Sequence, residues 1–111
     1  MKKLTGVKHI KQTELKLSEP PTDPNRIGDI AEYYAITYLW DSGYHVFKNC
    51  GCTGPADLVA MTPEGKIILV DVKSYKDSRL SARTDLQKKL GVQYLHFNSE
   101  TRKMRFVEHQ K

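Results

Sequence analysis

The chain has 111 residues, of which 39% are apolar and 28% are charged, a composition typical of one globular domain and not of a disordered chain. No apolar run approaches the roughly 18 residues that a membrane span requires, and the polar first residues do not resemble a secretory signal. Two closely spaced cysteines, Cys50 and Cys52, are too few for a disulfide framework, so we expect an intracellular, cytoplasmic protein.

Charge is distributed unevenly along the chain, whose formal net charge is +5. Residues 27–72 contain two Lys or Arg and six Asp or Glu, whereas residues 73–105 contain nine basic and three acidic residues. A surplus of basic side chains suits a polyanion such as nucleic acid, and concentrated carboxylates suit a divalent cation. The pattern therefore favours a protein that binds one or both of these partners.

Residues 1–25 are basic, weakly patterned and end in a proline-rich stretch, which predicts an arm outside the folded domain. Residues 26–111 are predicted to form that single domain. Pro24 after Asp23 predicts a helix start, because an Asp side chain accepts bonds from the first N–H groups and proline has none to leave unpaired.

Apolar residues recur at three- and four-residue spacing as far as Trp40, which predicts that this first helix continues to that point. Gly43 predicts the end of the helix, since glycine takes the left-handed conformation common at a helix C-terminus. Glu32 falls at one edge of the apolar face, where a carboxylate is partly buried. It either pairs with a lysine or belongs to a functional site.

The rest of the chain is predicted to contain five strands and a second helix. The strands are expected at residues 44–48, 57–61, 66–73, 92–97 and 102–107, and the helix at residues 84–90. The strand at residues 66–73 is apolar on both faces, as expected in a sheet covered on both sides. We therefore predict an α/β domain with a central mixed sheet flanked by helices.

A turn at Thr62–Lys66 fixes the geometry of the most informative segment. Pro63 at the first position of the turn and Gly65 at its left-handed position suit a three-residue hairpin loop. This loop places Asp57 directly opposite Asp71, with Cβ atoms about 5 Å apart. A two-residue loop would put the two aspartates on opposite faces. Lys73 shares the face of Asp71, because side chains alternate along a strand.

This arrangement suits phosphodiester hydrolysis. Two ionised carboxylates so close repel, unless one is protonated, water reaches both, or a divalent cation lies between them. Mg²⁺ bound by oxygen ligands stabilises charge on a phosphate and lowers the pKa of a bound water. Lys73 could orient that water and offset the charge that builds up, and Glu32 could supply a third carboxylate. The alternative is structural: Asp57 caps a turn, and Asp71 and Lys73 end a strand that reaches solvent.

The same residues resemble a known superfamily. Pro55-Ala56-Asp57 followed by Asp71-Val72-Lys73 resembles the PD-(D/E)XK nuclease signature, with the first acidic residue one position later after the proline than in the consensus. The helix that carries Glu32 is similar to the glutamate-bearing first helix of these enzymes. The stretch from Cys52 to Ala60 is similar to the group I intron homing endonucleases, and small archaeal Holliday junction resolvases share the layout.

The resemblance covers roughly residues 26–107 and implies a restriction-endonuclease-like core. It implies that Asp57 and Asp71 are metal ligands, that Glu32 is a ligand directly or through water, and that Lys73 is the catalytic lysine. The implied cofactor is Mg²⁺, with Mn²⁺ as a possible substitute and no organic cofactor.

Two groups of residues beyond this site have both a functional and a structural interpretation. Basic residues after the second motif are expected to contact a phosphate backbone, although a solvated helix face explains them as well; they are Lys76, Arg79, Arg83, Lys88 and Lys89. Some nucleases of the superfamily carry a glutamine from a later helix in the site, which makes Gln87 a possible accessory residue. We favour a capping box with Thr84 as its explanation.

The function we expect is that of a magnesium-dependent endonuclease that hydrolyses DNA phosphodiester bonds, with double-stranded or branched DNA as substrate and no membrane partner. Because cleavage of a duplex needs two cuts, we also expect a homodimer. Three alternatives remain open: a Holliday junction resolvase, a catalytically silent nuclease-like module that binds nucleic acid, and a basic nucleic-acid-binding protein whose carboxylates are incidental.

Overall fold

The computed structural model describes residues 21–51, 53–75 and 82–108. Lys76, Arg79 and most of the predicted arm therefore lie outside the described residues. The elements are α1 (Pro24–Asp41), β1 (His45–Lys48), β2 (Leu58–Met61), β3 (Ile67–Lys73), α2 (Asp85–Leu90), β4 (Gln93–Asn98) and β5 (Lys103–Phe106). Their order is the predicted one, and each strand end lies within one residue of its predicted position.

The strands form one five-stranded sheet in the order β1-β2-β3-β4-β5. Neighbouring strands run antiparallel except β3 and β4, which are parallel and are connected through α2. A parallel pair needs such a crossover, because its second strand must start again at the same edge of the sheet. The predicted α/β class with a mixed sheet and two helices is confirmed.

Helix α1 begins and ends where its sequence predicts. The Asp23 side chain accepts a hydrogen bond from the Asn25 N–H at 3.2 Å, and Pro24 occupies the first helical position. Ser42 follows the last turn, and Gly43 then takes a left-handed φ of 96°. None of the helices in the part of the chain that the structure describes is long and apolar enough to cross a membrane.

One face of α1 packs against one face of the sheet. The buried residues of this layer are Ala35 and Leu39 of α1 with Leu58, Ala60, Val70 and Leu95 of the sheet. Val70 of β3 is directed toward α1. Because side chains alternate along a strand, Asp71 and Lys73 share the opposite face of the sheet. The alternation that places the apolar residues of β3 in the core therefore places its polar residues on the other face of the sheet.

The hairpin between β2 and β3 has the predicted register. Leu58 lies opposite Val70 and Met61 opposite Ile67. The turn is closed by the Thr62 N–H, which donates to the Lys66 carbonyl at 2.8 Å, and Gly65 takes a φ of 91°. Only glycine adopts that left-handed conformation without strain, so the turn type follows from the sequence.

The start of β2 differs from the prediction by one residue. The strand begins at Leu58 rather than at Asp57, because the Asp57 carboxylate, not its backbone, accepts the Val72 N–H at 2.7 Å. The Asp57 N–H still donates to the Val70 carbonyl at 2.9 Å. Asp57 is thus held at the end of the hairpin, next to Asp71.

Candidate active site

The carboxyl groups of Asp57 and Asp71 meet at the end of the hairpin. They lie within reach of a hydrogen bond, which requires that one of the two carries a proton. Burial, followed by this bond and the charges of Asp71 and Glu32, raises the pKa of Asp57 to about 7, although the Val72 N–H acts in the opposite direction. The structure thus brings the two predicted carboxylates together on one side of the sheet.

Lys73 completes this cluster on the same strand as Asp71. Its Nζ lies 3.1 Å from Asp71 Oδ2 and 4.8 Å from the centre of the Tyr94 ring. Burial acts to lower the pKa of Lys73, but attraction and hydrogen bonding to Asp71 outweigh it, so the pKa is raised above 10.5. Lys73 is therefore a cation at neutral pH and cannot serve there as a general base.

Gln87 links helix α2 to the carboxylates. The predicted capping box is present: the Gln87 N–H donates to Thr84 Oγ1 at 3.1 Å, and the Thr84 N–H donates to Gln87 Oε1 at 3.0 Å. Its Nε2 also donates to Asp71 Oδ2 and to the Pro55 carbonyl, both at 2.9 Å. The cap and the contact with the site, weighed as alternatives in the sequence, are made by the same buried side chain.

Asn49 shapes the loop that precedes Asp57. Its Nδ2 donates to the carbonyls of Thr53 at 2.8 Å and Ala56 at 2.9 Å, and its N–H donates to the Asp57 carbonyl at 2.9 Å. Gly54 in this loop has a φ of 104°, and a Cβ there would lie 3.4 Å from Asn49 Nδ2. The loop is therefore held from inside, which fixes where the chain enters β2.

Glu32 of α1 lies close enough to act on the pair by charge, since its carboxylate contributes to the raised pKa of Asp57. Lys48 of β1 is its ion-pair partner, with 3.5 Å between Nζ and Oε1. The structural interpretation of Glu32, pairing with a lysine, is thus fulfilled. A role for Glu32 as a metal ligand stays a prediction.

Within the described ranges, no group of three or more His, Cys, Asp or Glu side chains is placed to hold a metal ion. The donors of the carboxylate pair nevertheless fit Mg²⁺, which keeps several waters and commonly takes one or two carboxylates. Protonation of Asp57, which its raised pKa favours, relieves the repulsion between the two carboxyl groups, and a divalent cation between them would also relieve it. The two carboxylates are therefore more stable in their ionised form with a divalent cation between them than without one.

The predicted phosphate-contacting residues divide into three kinds. Lys88 and Lys89 are exposed in the last turn of α2. Arg83 is half-buried, and its Nη1 donates to the Val92 carbonyl at 3.0 Å. Lys76 and Arg79 lie outside the described residues. Contact of these side chains with a phosphate backbone stays a prediction, and a structural bond already engages Arg83.

Comparison with solved structures matches the chain to a bacterial homing endonuclease, I-Ssp6803I, with a TM-score of 0.59 and 25% sequence identity. The chain has the fold of the PD-(D/E)XK-type nucleases. This confirms the restriction-endonuclease-like core and the superfamily indicated by the motifs around Asp57 and Asp71. The match covers 77% of this chain and 64% of the homing endonuclease, so the chain spans less than two thirds of that protein's length.

The chain is also similar to Hjc, a Holliday junction resolvase from Archaeoglobus fulgidus. The TM-score is 0.48 and the identity 19%, over 69% of this chain and 79% of the resolvase. No family model matches the chain, and no curated protein matches it.

Three residues near the site were not singled out in the sequence. Lys48 pairs with Glu32, Asn49 holds the loop before Asp57, and Tyr94 lies beneath Lys73. Asn49 stands in a stretch whose composition indicates a loop, so a side chain that caps the loop from within could have been suspected. The positions of Lys48 and Tyr94 carry no such local signal.

Proposed function

We propose that this chain is a metal-dependent endonuclease that hydrolyses DNA phosphodiester bonds. The observation that carries the proposal is the contact between the Asp57 and Asp71 carboxyl groups with Lys73 Nζ 3.1 Å from Asp71. It occurs at the end of a hairpin in a nuclease fold shared with a homing endonuclease. Two carboxylates that can hold a metal ion and a lysine that stays protonated are suited to the hydrolysis of a negatively charged diester.

Asp57 and Asp71 would hold the metal, which we propose to be Mg²⁺, with Mn²⁺ as a substitute. When bound, it supplies Lewis-acid stabilisation of the phosphate and a more acidic water. Gln87 Nε2, bonded to Asp71, keeps that carboxylate from rotating. Glu32, held by Lys48, adds negative charge beside Asp57 and would strengthen the attraction for a cation.

Lys73 acts in this proposal as a fixed positive charge. Its raised pKa keeps the ammonium protonated, so it donates hydrogen bonds and does not accept a proton. An ammonium beside the carboxylate pair can bind a non-bridging phosphate oxygen and orient the attacking water. The electrostatic stabilisation by the Lys73 ammonium increases as negative charge builds up on the phosphate, and it is stronger because the site is partly buried.

DNA is the proposed substrate, either double-stranded or branched, inside the cell. The net charge of +5 and the exposed Lys88 and Lys89 support a polyanionic partner. Cutting both strands of a duplex needs two sites of opposite orientation, so we propose a symmetric homodimer as the active form. Light scattering on the purified chain measures that mass directly.

The decisive experiment is nicking of supercoiled plasmid by the full chain with Mg²⁺, Mn²⁺ or chelator. We expect nicking with either metal and none with chelator, and a loss of at least about 100-fold in Asp71→Asn. Asp41→Asn, an exposed aspartate at the end of α1, is the matched control and should cleave like the parent. Full activity in Asp71→Asn would show that the site is wrongly assigned.

The same preparation distinguishes the competing functions. Faster cutting of a four-way junction than of plain duplex would identify a junction-specific enzyme within the same chemistry. Salt-sensitive DNA binding without cleavage in any divalent metal would instead contradict the proposed enzyme and support a binding module.

A further inference from the structure

Tyr94 is a buried aromatic residue with a polar end inside the candidate active site. It lies on β4, directly in register with Asp71 of β3, and is only 2% exposed. Lys73 Nζ stands 4.8 Å from the centre of its ring. Its hydroxyl lies 3.1 Å from Gln87 Oε1 and 3.3 Å from the Ala82 carbonyl. One side chain therefore touches the lysine and the glutamine that holds Asp71.

The hydroxyl of Tyr94 helps to set the orientation of the Gln87 amide. Gln87 Oε1 lies 3.0 Å from the Thr84 N–H, which can only donate, and 3.1 Å from the Tyr94 hydroxyl. Because the Thr84 N–H can only donate, the end of the amide that it meets must be the oxygen. The Tyr94 hydroxyl, whose single proton can point to this oxygen or to the Ala82 carbonyl, adds a second hydrogen bond there. The nitrogen then faces the two acceptors at the other end, the Pro55 carbonyl and Asp71 Oδ2.

The ring of Tyr94 acts on the other member of the cluster. An ammonium near the face of an aromatic ring is attracted by the negative charge of that face, and more strongly where water is excluded. The side chain of Lys73 is 24% exposed, so the ring covers part of a cation that has lost much of its hydration. The ring and Asp71 together restrict where the ammonium can lie.

We propose that Tyr94 is a positioning residue of this site, which holds Lys73 through its ring and Asp71 through the Gln87 amide. The proposal rests on the proposed nuclease function. Tyrosine suits both contacts, because phenylalanine lacks the hydroxyl and leucine lacks both the hydroxyl and the ring. The two contacts can therefore be removed one after the other.

The test compares Tyr94→Phe and Tyr94→Leu with the parent in single-turnover plasmid cleavage, with DNA binding measured separately. We expect the cleavage rate to fall about five- to tenfold in Tyr94→Phe, the effect of one lost hydrogen bond, and about 100-fold in Tyr94→Leu. The dissociation constant for DNA should change less than about twofold in Tyr94→Phe, because the residue is buried away from the substrate. Tyr33→Phe, at a 65% exposed position of α1, is the matched control and should leave both values unchanged.

A second readout needs neither metal nor DNA. Protons bound to Lys73 Cε should be shifted upfield in the NMR spectrum of the parent and of Tyr94→Phe, since both place a ring beneath the ammonium. That shift should disappear in Tyr94→Leu. The side-chain amide signals of Gln87 should move in Tyr94→Phe and stay in place in Tyr33→Phe. A purely structural role would lower the melting temperature without this residue-by-residue pattern.

The outcomes separate the two proposals. If the parent cleaves and Asp71→Asn does not, but Tyr94→Phe cleaves like the parent with unmoved Gln87 signals, the positioning role is wrong and the nuclease function stands. If the parent fails to cleave with any divalent metal, the proposed function falls, and the role of Tyr94 in catalysis falls with it. Should Tyr94→Leu fail to fold, Tyr94→Phe, which keeps the ring, still decides the hydroxyl's role.

Discussion

The raised pKa of Asp57 makes the stability of the protein depend on pH. Burial and its contact with Asp71 raise its pKa from 3.8 to about 7, so the folded state favours the protonated carboxyl more than the unfolded state does. Stability from this preference is fully present below the unfolded value and is lost as pH rises through the folded one. At pH 8 the metal-free protein therefore holds two repelling carboxylates, a strain that is typical of functional sites.

Asparagine at position 57 keeps the shape of the residue and removes the charge. In the presence of chelator we expect Asp57→Asn to raise the free energy of unfolding at pH 8 by about 1–3 kcal/mol, discounted for partial solvent exposure. At pH 4 the difference should nearly vanish, because the parent's carboxyl is then protonated in the folded state. Urea denaturation at both pH values measures this, with Asp41→Asn as control. A stability gain of equal size at both pH values would contradict the assigned cause.

At the level of elements, α2 combines a helix cap with a contact to the candidate active site. It has only six residues, and Gln87 both caps its first turn and bonds Asp71 of β3. A helix this short is not stable by itself in water, so its contacts with the sheet must hold it. The position of α2 and the orientation of Asp71 are therefore coupled through one side chain.

Two variants separate the cap from the site. Thr84→Ala removes the acceptor of the Gln87 N–H and should cost about 1 kcal/mol of stability, with cleavage close to that of the parent. Gln87→Leu should cost a similar amount of stability and also slow cleavage at least about tenfold, because Asp71 loses a hydrogen bond. Urea denaturation and single-turnover cleavage give the two quantities. Equal cleavage by the two variants would show that Gln87 serves the helix alone.

The sequence predicted those features of the site that depend on local rules. The Thr62–Lys66 turn determined the register, and the register brought Asp57 to Asp71. Gln87 was named as a possible accessory residue, but its capping box was the favoured explanation, and its bond to Asp71, 16 residues away, is seen only in the folded chain. Tyr94 looked like any aromatic residue of an apolar strand, since its contacts with Lys73 and Gln87 exist only after the crossover has docked. Lys48 escaped for the same reason: its partner Glu32 belongs to another element.

At the scale of the whole molecule, acidic and basic residues are concentrated in different parts of the chain. The acidic residues include the pair at the end of the hairpin, whereas basic residues are concentrated after residue 72. Lys88 and Lys89 extend from α2, the element whose Gln87 contacts the site. In the proposed function, a phosphate backbone that reaches Lys73 would pass near α2, where Lys88 and Lys89 would attract it.

The salt dependence of DNA binding tests this arrangement. Lys88→Gln and Lys89→Gln should each reduce the slope of log K against log salt by up to about 0.9, the value for one phosphate contact on duplex DNA. Lys66→Gln, an exposed lysine in the turn at the other end of the hairpin, is the control and should leave the slope unchanged. Fluorescence anisotropy with a short duplex in chelator measures the slope. Parallel lines for all variants would remove α2 from the DNA-binding surface.

The exposed turn at Thr62–Lys66 gives the chain an unusual sensitivity to its own length. Surface turns ordinarily accept inserted or deleted residues at little cost. Because β3 is fixed by its pairing with β4, an odd change in the length of the turn would move the side chains of β2 to the opposite faces of the sheet and aim Asp57 into the apolar layer under α1. An even change would preserve the parity of the strand. The length of this turn therefore determines whether Asp57 and Asp71 lie on the same face, although the turn is at the opposite end of the hairpin.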